Sequence, residues 1–308
     1  MREYIGLEHD LQGTWREPFC FVNLSFTARL KTWTEDMNAS GENVARTMKE
    51  TVSSVNRLRP RVCVVNADFA SALTSQTTVD EFRKQISRIS ESIPLIFVAA
   101  IPSSQRREYT TSFGADFYGF WYGGMRGLVL NTALIVDEST DPDCSRAQEE
   151  WFDGEVEQGQ LGGHHLCVFT HHMWYINDAY EDQLSELTIP KPARLRWLRK
   201  MQNGKVRALF EGSSSKNIVR RLKATTIPSE QESKVGDEGD VSENDTSEDE
   251  GYGASAVEIN DVEVVSTSDF SSTDDIVAAG LRIVTVFEES LKHDYYELGK
   301  VSVMTLYV

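Results

Sequence analysis

Three stretches of the chain stop at side chains able to hold a cation or move a proton. RVCVVNAD, residues 61–68, is a short apolar run without alternation that ends at Asp68. HLCVFT, residues 165–170, ends at the pair His171-His172, and KVRALF, residues 205–210, ends at Glu211-Gly212-Ser213-Ser214-Ser215. Unbroken apolar runs of this length suit strands buried on both faces of a sheet. Ligands collect at the carboxyl ends of such strands, so Asp68 stands where a metal ligand or an acid/base group belongs, and the two histidines lie on the same kind of edge. The GSSSK stretch reads as a polar turn, because it has neither phosphate-loop spacing nor a Gly-x-Ser-x-Gly elbow.

Those edges need a scaffold, and the order of elements supplies one. FCFVNL (19–24) is the first strand, 61–66 the second and PLIFVAA (94–100) the third. Between them, Val44, Met48, Val52, Val55 and Leu58, then Phe82, Ile86 and Ile89, recur at helical spacing. Strand, helix, strand, helix, strand implies parallel strands joined by right-handed crossovers. Residues 117–122 and 125–131 across Gly123-Gly124 predict a hairpin. Residues 146–158 and 192–203 predict helices, the second stopped by Gly204. The segments 262–266, 281–287 and 293–298 alternate like antiparallel strands of a second sheet, with 301–308 as one more, and Trp33 is placed to cap the core.

Composition limits the classes of partner. No run is apolar enough to span a bilayer and the first residues carry no hydrophobic signal core, so the expectation is a soluble cytoplasmic protein without membrane contact. Cys20, Cys63 and Cys167 sit inside apolar runs and read as buried reduced thiols. Of the net charge of −17, −11 falls in residues 228–261, where twelve acids face the single Lys234. With so little apolar surface to offset ordering entropy, that stretch reads as a disordered insertion in a single domain covering 1–308. Ser229, Ser242 and Ser247 each precede an acid by three residues, and the stretch reads as an anionic lid beside the site, able to meet a basic partner. Arg220, Arg221 and Lys223 read as solvated surface, and nucleic-acid binding is not expected.

In order and wording these elements resemble the calcineurin-like metallophosphoesterases, above all the small single-domain calcineurin-like phosphoesterase domain proteins. The resemblance is carried by EPFCFV, NADF, IPLIFV, FGADFYGFWYGGMRGLVLN, AQEEWFDGEV before CVFTHH, KVRALFEG and GLRIVTVFEESLKHDYYEL. It implies an αββα sandwich of two mixed β-sheets flanked by helices, between the α+β and α/β classes. It also implies phosphoester hydrolysis at two metal ions.

The family's ligand motifs, set on this sequence, are mostly replaced. FVNLSFTARL offers no acid where the first motif carries one. Ala67-Asp68 keeps the acid of the second, Ala100-Ile101-Pro102-Ser103 stands for the third, His171 keeps the fourth, and Gly212-Ser213-Ser214-Ser215 stands for the fifth. Asp68 and His171 are thus relic metal-ligand positions expected to be empty, with His172, Glu211, Asp116 and Asn66 as possible stand-ins. Glu211 reads otherwise as a solvated charge at a loop mouth. Two dications about 3.5–4 Å apart need several anionic ligands. The expectation is a pseudophosphatase without catalytic residues or cofactor, binding a protein or a phosphorylated ligand. The alternative is a hydrolase, a protein Ser/Thr or small-molecule phosphatase, keeping one or two ions of Fe, Mn or Zn.

Overall fold

The computed structural model describes residues 13–26, 40–162, 165–182, 188–214, 216–224, 260–268 and 279–301, with backbone alone at 40–45 and 158–162. Trp33, residues 302–308 and nearly all of 228–261 lie outside these. In chain order the elements are β1 (Phe19–Phe26), α1 (Ser40–Leu58), β2 (Val62–Ala67), α2 (Phe69–Ala72), α3 (Gln76–Ile86), β3 (Leu95–Val98), α4 (Arg106–Phe113), β4 (Tyr118–Tyr122), β5 (Met125–Val129), α5 (Ala133–Val136), α6 (Pro142–Gly162), β6 (His165–Thr170), α7 (Lys191–Asn203), β7 (Ala208–Ser214), β8 (Ile218–Leu222), β9 (Val262–Ser268), β10 (Gly280–Val286) and β11 (Leu291–Glu297).

They form two mixed sheets, β11-β10-β1-β2-β3 and β4-β5-β6-β7-β9-β8. β1, β2 and β3 are parallel, as are β5, β6, β7 and β9. The cause is visible in the side chains. Every residue of β2 and β6 is buried, since one face meets helices and the other meets the opposite sheet. Met48, Val52 and Val55 of α1, with Val79, Phe82 and Ile86 of α3, pack on the outer face of the first sheet. Phe152 of α6 and Trp197, Leu198 and Met201 of α7 do so on the second. Between the sheets lie Phe21, Val64, Ile96, Cys167, Phe169, Phe210, Val265 and Val284.

Two features differ from the sequence reading. β9 runs parallel to β7 in the second sheet, whereas β10 and β11 join the first, β10 antiparallel to β1. Alternation along a strand sets which residues share a face and leaves its partner strand open. The acidic stretch also leaves the fold elsewhere. β8 turns back antiparallel to β9 and pairs Leu222 with Val262, so the connection between them starts at the edge opposite His171, across the seven residues of β9, about 20 Å at strand rise. There Ala224 N–H donates to Asp261 Oδ1 (2.9 Å) and Gln202 Nε2 to the Lys223 carbonyl (2.7 Å). The lid reading loses its premise of a connection rooted beside the site.

The thiols divide by depth. Cys63 and Cys167 are fully buried, while Cys20, against expectation, and Cys144 are partly exposed. Burial pushes the Cys167 thiol up to about 12, Cys20 to about 11 and Cys63 higher still. A maleimide time course on native protein should label Cys144 and Cys20 ahead of Cys63 and Cys167. Early mass-mapped adducts on Cys63 would contradict the placement of β2.

Candidate functional site

The inner face of the sandwich changes character along its strands. Phe19 and Phe21 of β1 give way to Asn23 and Ser25, Val62 and Val64 of β2 to Asn66, and Phe210 of β7 to Gly212, all at the carboxyl ends of parallel strands. This polar edge is where Asp68 and the histidines arrive.

The structure sets His171 and His172 side by side, with Asp68 near enough for its charge to act on His172. Asn66, two residues before Asp68, crosses between the sheets. Its Nδ2 donates to the Thr170 carbonyl (2.6 Å) and its Oδ1 lies 2.8 Å from His171 Nδ1. A carbonyl can only accept, so the NH2 group must face Thr170 and the oxygen must face the ring. His171 therefore carries its proton on Nδ1 and keeps a lone pair on Nε2. Burial pushes His171 down to about 4. The His172 ring stands edge-on to it, centroids 5.4 Å apart, with Nδ1 2.7 Å from Thr132 Oγ1. His172 is pushed down to about 3 by burial and by its neighbouring imidazole, while the charge of Asp68 pulls it the other way. Asp68 caps α2, one carboxylate oxygen accepting from Ser71 N–H at 3.0 Å.

The other proposed donors are committed elsewhere. Asp116 is held by both Arg106 Nε (2.7 Å) and Nη2 (3.0 Å) and accepts from Asn131 Nδ2 (2.8 Å). Glu211 is fully buried, where sequence reading expected a solvated charge. β7 continues through Ser214, so with Phe210 and Gly212 turned inward, Glu211 points out of the sandwich toward the Trp174-Tyr175 segment. There its carboxylate accepts from Trp174 N–H (2.9 Å), from Ser266 Oγ (2.5 Å) and from Arg220. Arg220 in turn stacks on Tyr175 at 4.8 Å and is not solvated surface, unlike Arg221 and Lys223. An alternating strand with an arginine, IVRRL, shortly after an in-strand glutamate was the available signal.

Two positions that the resemblance sets on the third and fifth motifs are equally informative. Ile101 is fully buried, with its N–H and carbonyl both bonded to the Asn131 side chain at 2.8 Å. Ser213 takes φ 55°, a left-handed conformation that costs a non-glycine residue on the order of 1 kcal/mol or more, at the register shift between β7 and β9. A site for two divalent ions does not fit this donor set. Asp68 and the two imidazoles supply one charge against four, and among the described residues no cluster of three His, Cys, Asp or Glu side chains is arranged to hold an ion. Sequence reading also missed two buried cations. Arg194 spends its guanidinium on carbonyls of Ala179, Trp174, Ile189 and Glu181, shaping the segment after His172. Arg282 reaches across to Asn217 Oδ1 (3.1 Å) and Thr267 Oγ1 (3.1 Å), pinning the turn after β7.

No protein-family profile matches the chain. It is similar to the serine/threonine-protein phosphatase CPPED1 of Mus musculus, at 27% identity over 225 residues, covering 66% of this chain and 71% of that protein. The CPPED1 proteins of Danio rerio (24% over 236 residues, 70% and 76%) and Homo sapiens (25% over 229 residues, 67% and 72%) are similar as well. Among solved structures, purple acid phosphatase PPD1 from yellow lupin seeds superposes with a TM-score of 0.54 at 14% identity. The match takes in 96% of this chain, which spans about half of that enzyme, 53%. GAP50, described as the anchor in the inner membrane complex of Plasmodium, gives a TM-score of 0.52 at 10% identity, covering 94% of this chain and 87% of GAP50. These two likenesses concern the fold, two mixed sheets flanked by helices. Among the described residues no helix is long and apolar enough to cross a membrane.

Proposed function

Because this chain is a homologue of the calcineurin-like phosphoesterases, we propose that it uses their scaffold for binding and has lost their hydrolysis. One observation carries the reading. The loop that stands for the family's third motif presents Ile101, buried and bonded at both backbone atoms to Asn131, and Pro102. Neither side chain can coordinate or donate, so these two positions supply neither a bridging ligand nor a proton donor. What is left, Asp68, His171 Nε2 and His172, suits a single weak polar contact set and not the clamp that in-line displacement at phosphorus requires. The occupant on this reading is a protein segment or a phosphorylated ligand held without turnover. A fold shared between an enzyme and an anchor leaves such a role open.

The second reading is a phosphatase with a reduced site of one or two ions of Fe, Mn or Zn, favoured by the serine/threonine-protein phosphatase names of the homologues. One experiment separates them. Purified chain is analysed for Fe, Mn and Zn and assayed on an aryl phosphate with each metal added, beside Asp68→Asn. Binding without turnover predicts substoichiometric metal and a rate equal to that of D68N. Stoichiometric metal with a rate that D68N abolishes would establish the hydrolase instead.

A further inference from the structure

We propose that two carboxamides, Asn66 and Asn131, do the cross-linking at this edge that bound metal ions would otherwise supply, so that its order does not depend on divalent ions. Each amide joins segments that the chain brings from far apart. Asn66, on β2 of the first sheet, reaches the end of β6 in the second through its bonds to Thr170 and His171. β7 backs it closely. A Cβ built on Gly212 would stand 2.6 Å from the Asn66 carboxamide carbon, nearer than real side-chain atoms come. Glycine at 212 is what lets the amide lie there.

Asn131 follows β5 and is fully buried. Its Oδ1 accepts from Ile101 N–H (2.8 Å) and Ala133 N–H (3.1 Å), and its Nδ2 donates to the Ile101 carbonyl and to Asp116 Oδ2, both at 2.8 Å. All four capacities of the side chain are used. Gln148 of α6 holds the Asn131 backbone at both its N–H (2.8 Å) and its carbonyl (3.2 Å). Thus one amide ties the end of β2 to the end of β6, with Gly212 of β7 packed against it, and the other ties the loop after β3 to the end of β5 and, through Asp116 and Arg106, to α4. Metal sites couple ligand loops to folding because the ion joins them. A neutral amide with matched partners does the same without charges that need compensation. The proposal stands whether or not the cleft turns anything over, because its readouts are stability and exchange and not activity.

The full chain is melted after exhaustive EDTA treatment and again with Zn or Mn added, and the exchange of the Ile101 amide is followed in both conditions. The expected result is one melting temperature within about 1 °C, and equal protection at Ile101. Asn131→Ala and Asn66→Ala should each lower melting by about 5–10 °C, by the same amount with and without metal. N131A should also open the Ile101 amide to exchange. A fall in melting or in Ile101 protection on chelation of the unmodified chain would overturn the proposal without any variant. So would alanine variants that melt like the parent.

Discussion

Glu211→Ala should destabilise the protein by about 3–5 kcal/mol, the cost of breaking a buried pair by removing one partner. Glu211 is wholly enclosed and the Arg220 side chain is about nine-tenths so, with 9% exposed. Deleting the carboxylate leaves that buried guanidinium, already packed over Tyr175, with the neutral Ser266 Oγ in place of its charged partner, and leaves Trp174 N–H and the Ser266 hydroxyl without their acceptor. The loss reaches the candidate site, because Trp174 begins the segment that follows His171-His172. At about 2–4 °C per kcal/mol for a domain of this size, melting should fall by on the order of 10 °C. The double variant Glu211→Leu/Arg220→Met separates pairing from packing. With both charges gone and similar volume kept, it should recover most of the loss. A single E211A variant within about 1 kcal/mol of the parent, by urea unfolding, would show the pair to be solvated after all.

That pair also marks where sequence reading stopped. The alternation of strands and helices in the first half was legible because continuous apolar runs and helical spacing alternate there, and runs of the same kind set Asp68 and His171 each at the end of a strand. Glu211 was misplaced for a single reason. With β7 ended at Phe210, the next residue becomes loop, whereas four more residues of strand give it a face, and period two then fixes that face. Arg194 and Arg282 were illegible for a different reason. Their partners are backbone carbonyls and neutral side chains drawn from distant segments, and no local pattern announces such contacts. The root of the acidic connection followed from β8 reversing direction, a fact of topology that charge and composition do not contain.

The two histidines predict how the fold responds to acid. An unfolded chain takes up protons on both imidazoles near 6.5, whereas in the folded protein His171 and His172 wait until about 4 and about 3. Between those limits the unfolded state binds more protons, so stability rises with pH there. The contribution is complete above about pH 6.5 and drains away as pH falls through 4 toward 3. By pH 5 each histidine should have withdrawn about 2 kcal/mol. Most carboxylates titrate lower, which leaves pH 7 to 5 as a window dominated by histidine. Two causes enforce the shift. His171 is enclosed and already donates Nδ1–H to Asn66, so a second proton would sit on Nε2 of a buried ring whose charge has lost its hydration. His172 would then carry its own charge beside the first, with Asp68 as partial compensation. Urea unfolding at pH 7, 6 and 5, in chelator so that no ion competes for the imidazoles, should lose about 4 kcal/mol across the series. His172→Gln, which cannot titrate, should lose about half as much and show a correspondingly flatter slope. Equal slopes for parent and variant would mean that His172 is not held neutral by its surroundings, and a parent whose stability is level from pH 7 to 5 would mean that neither ring is.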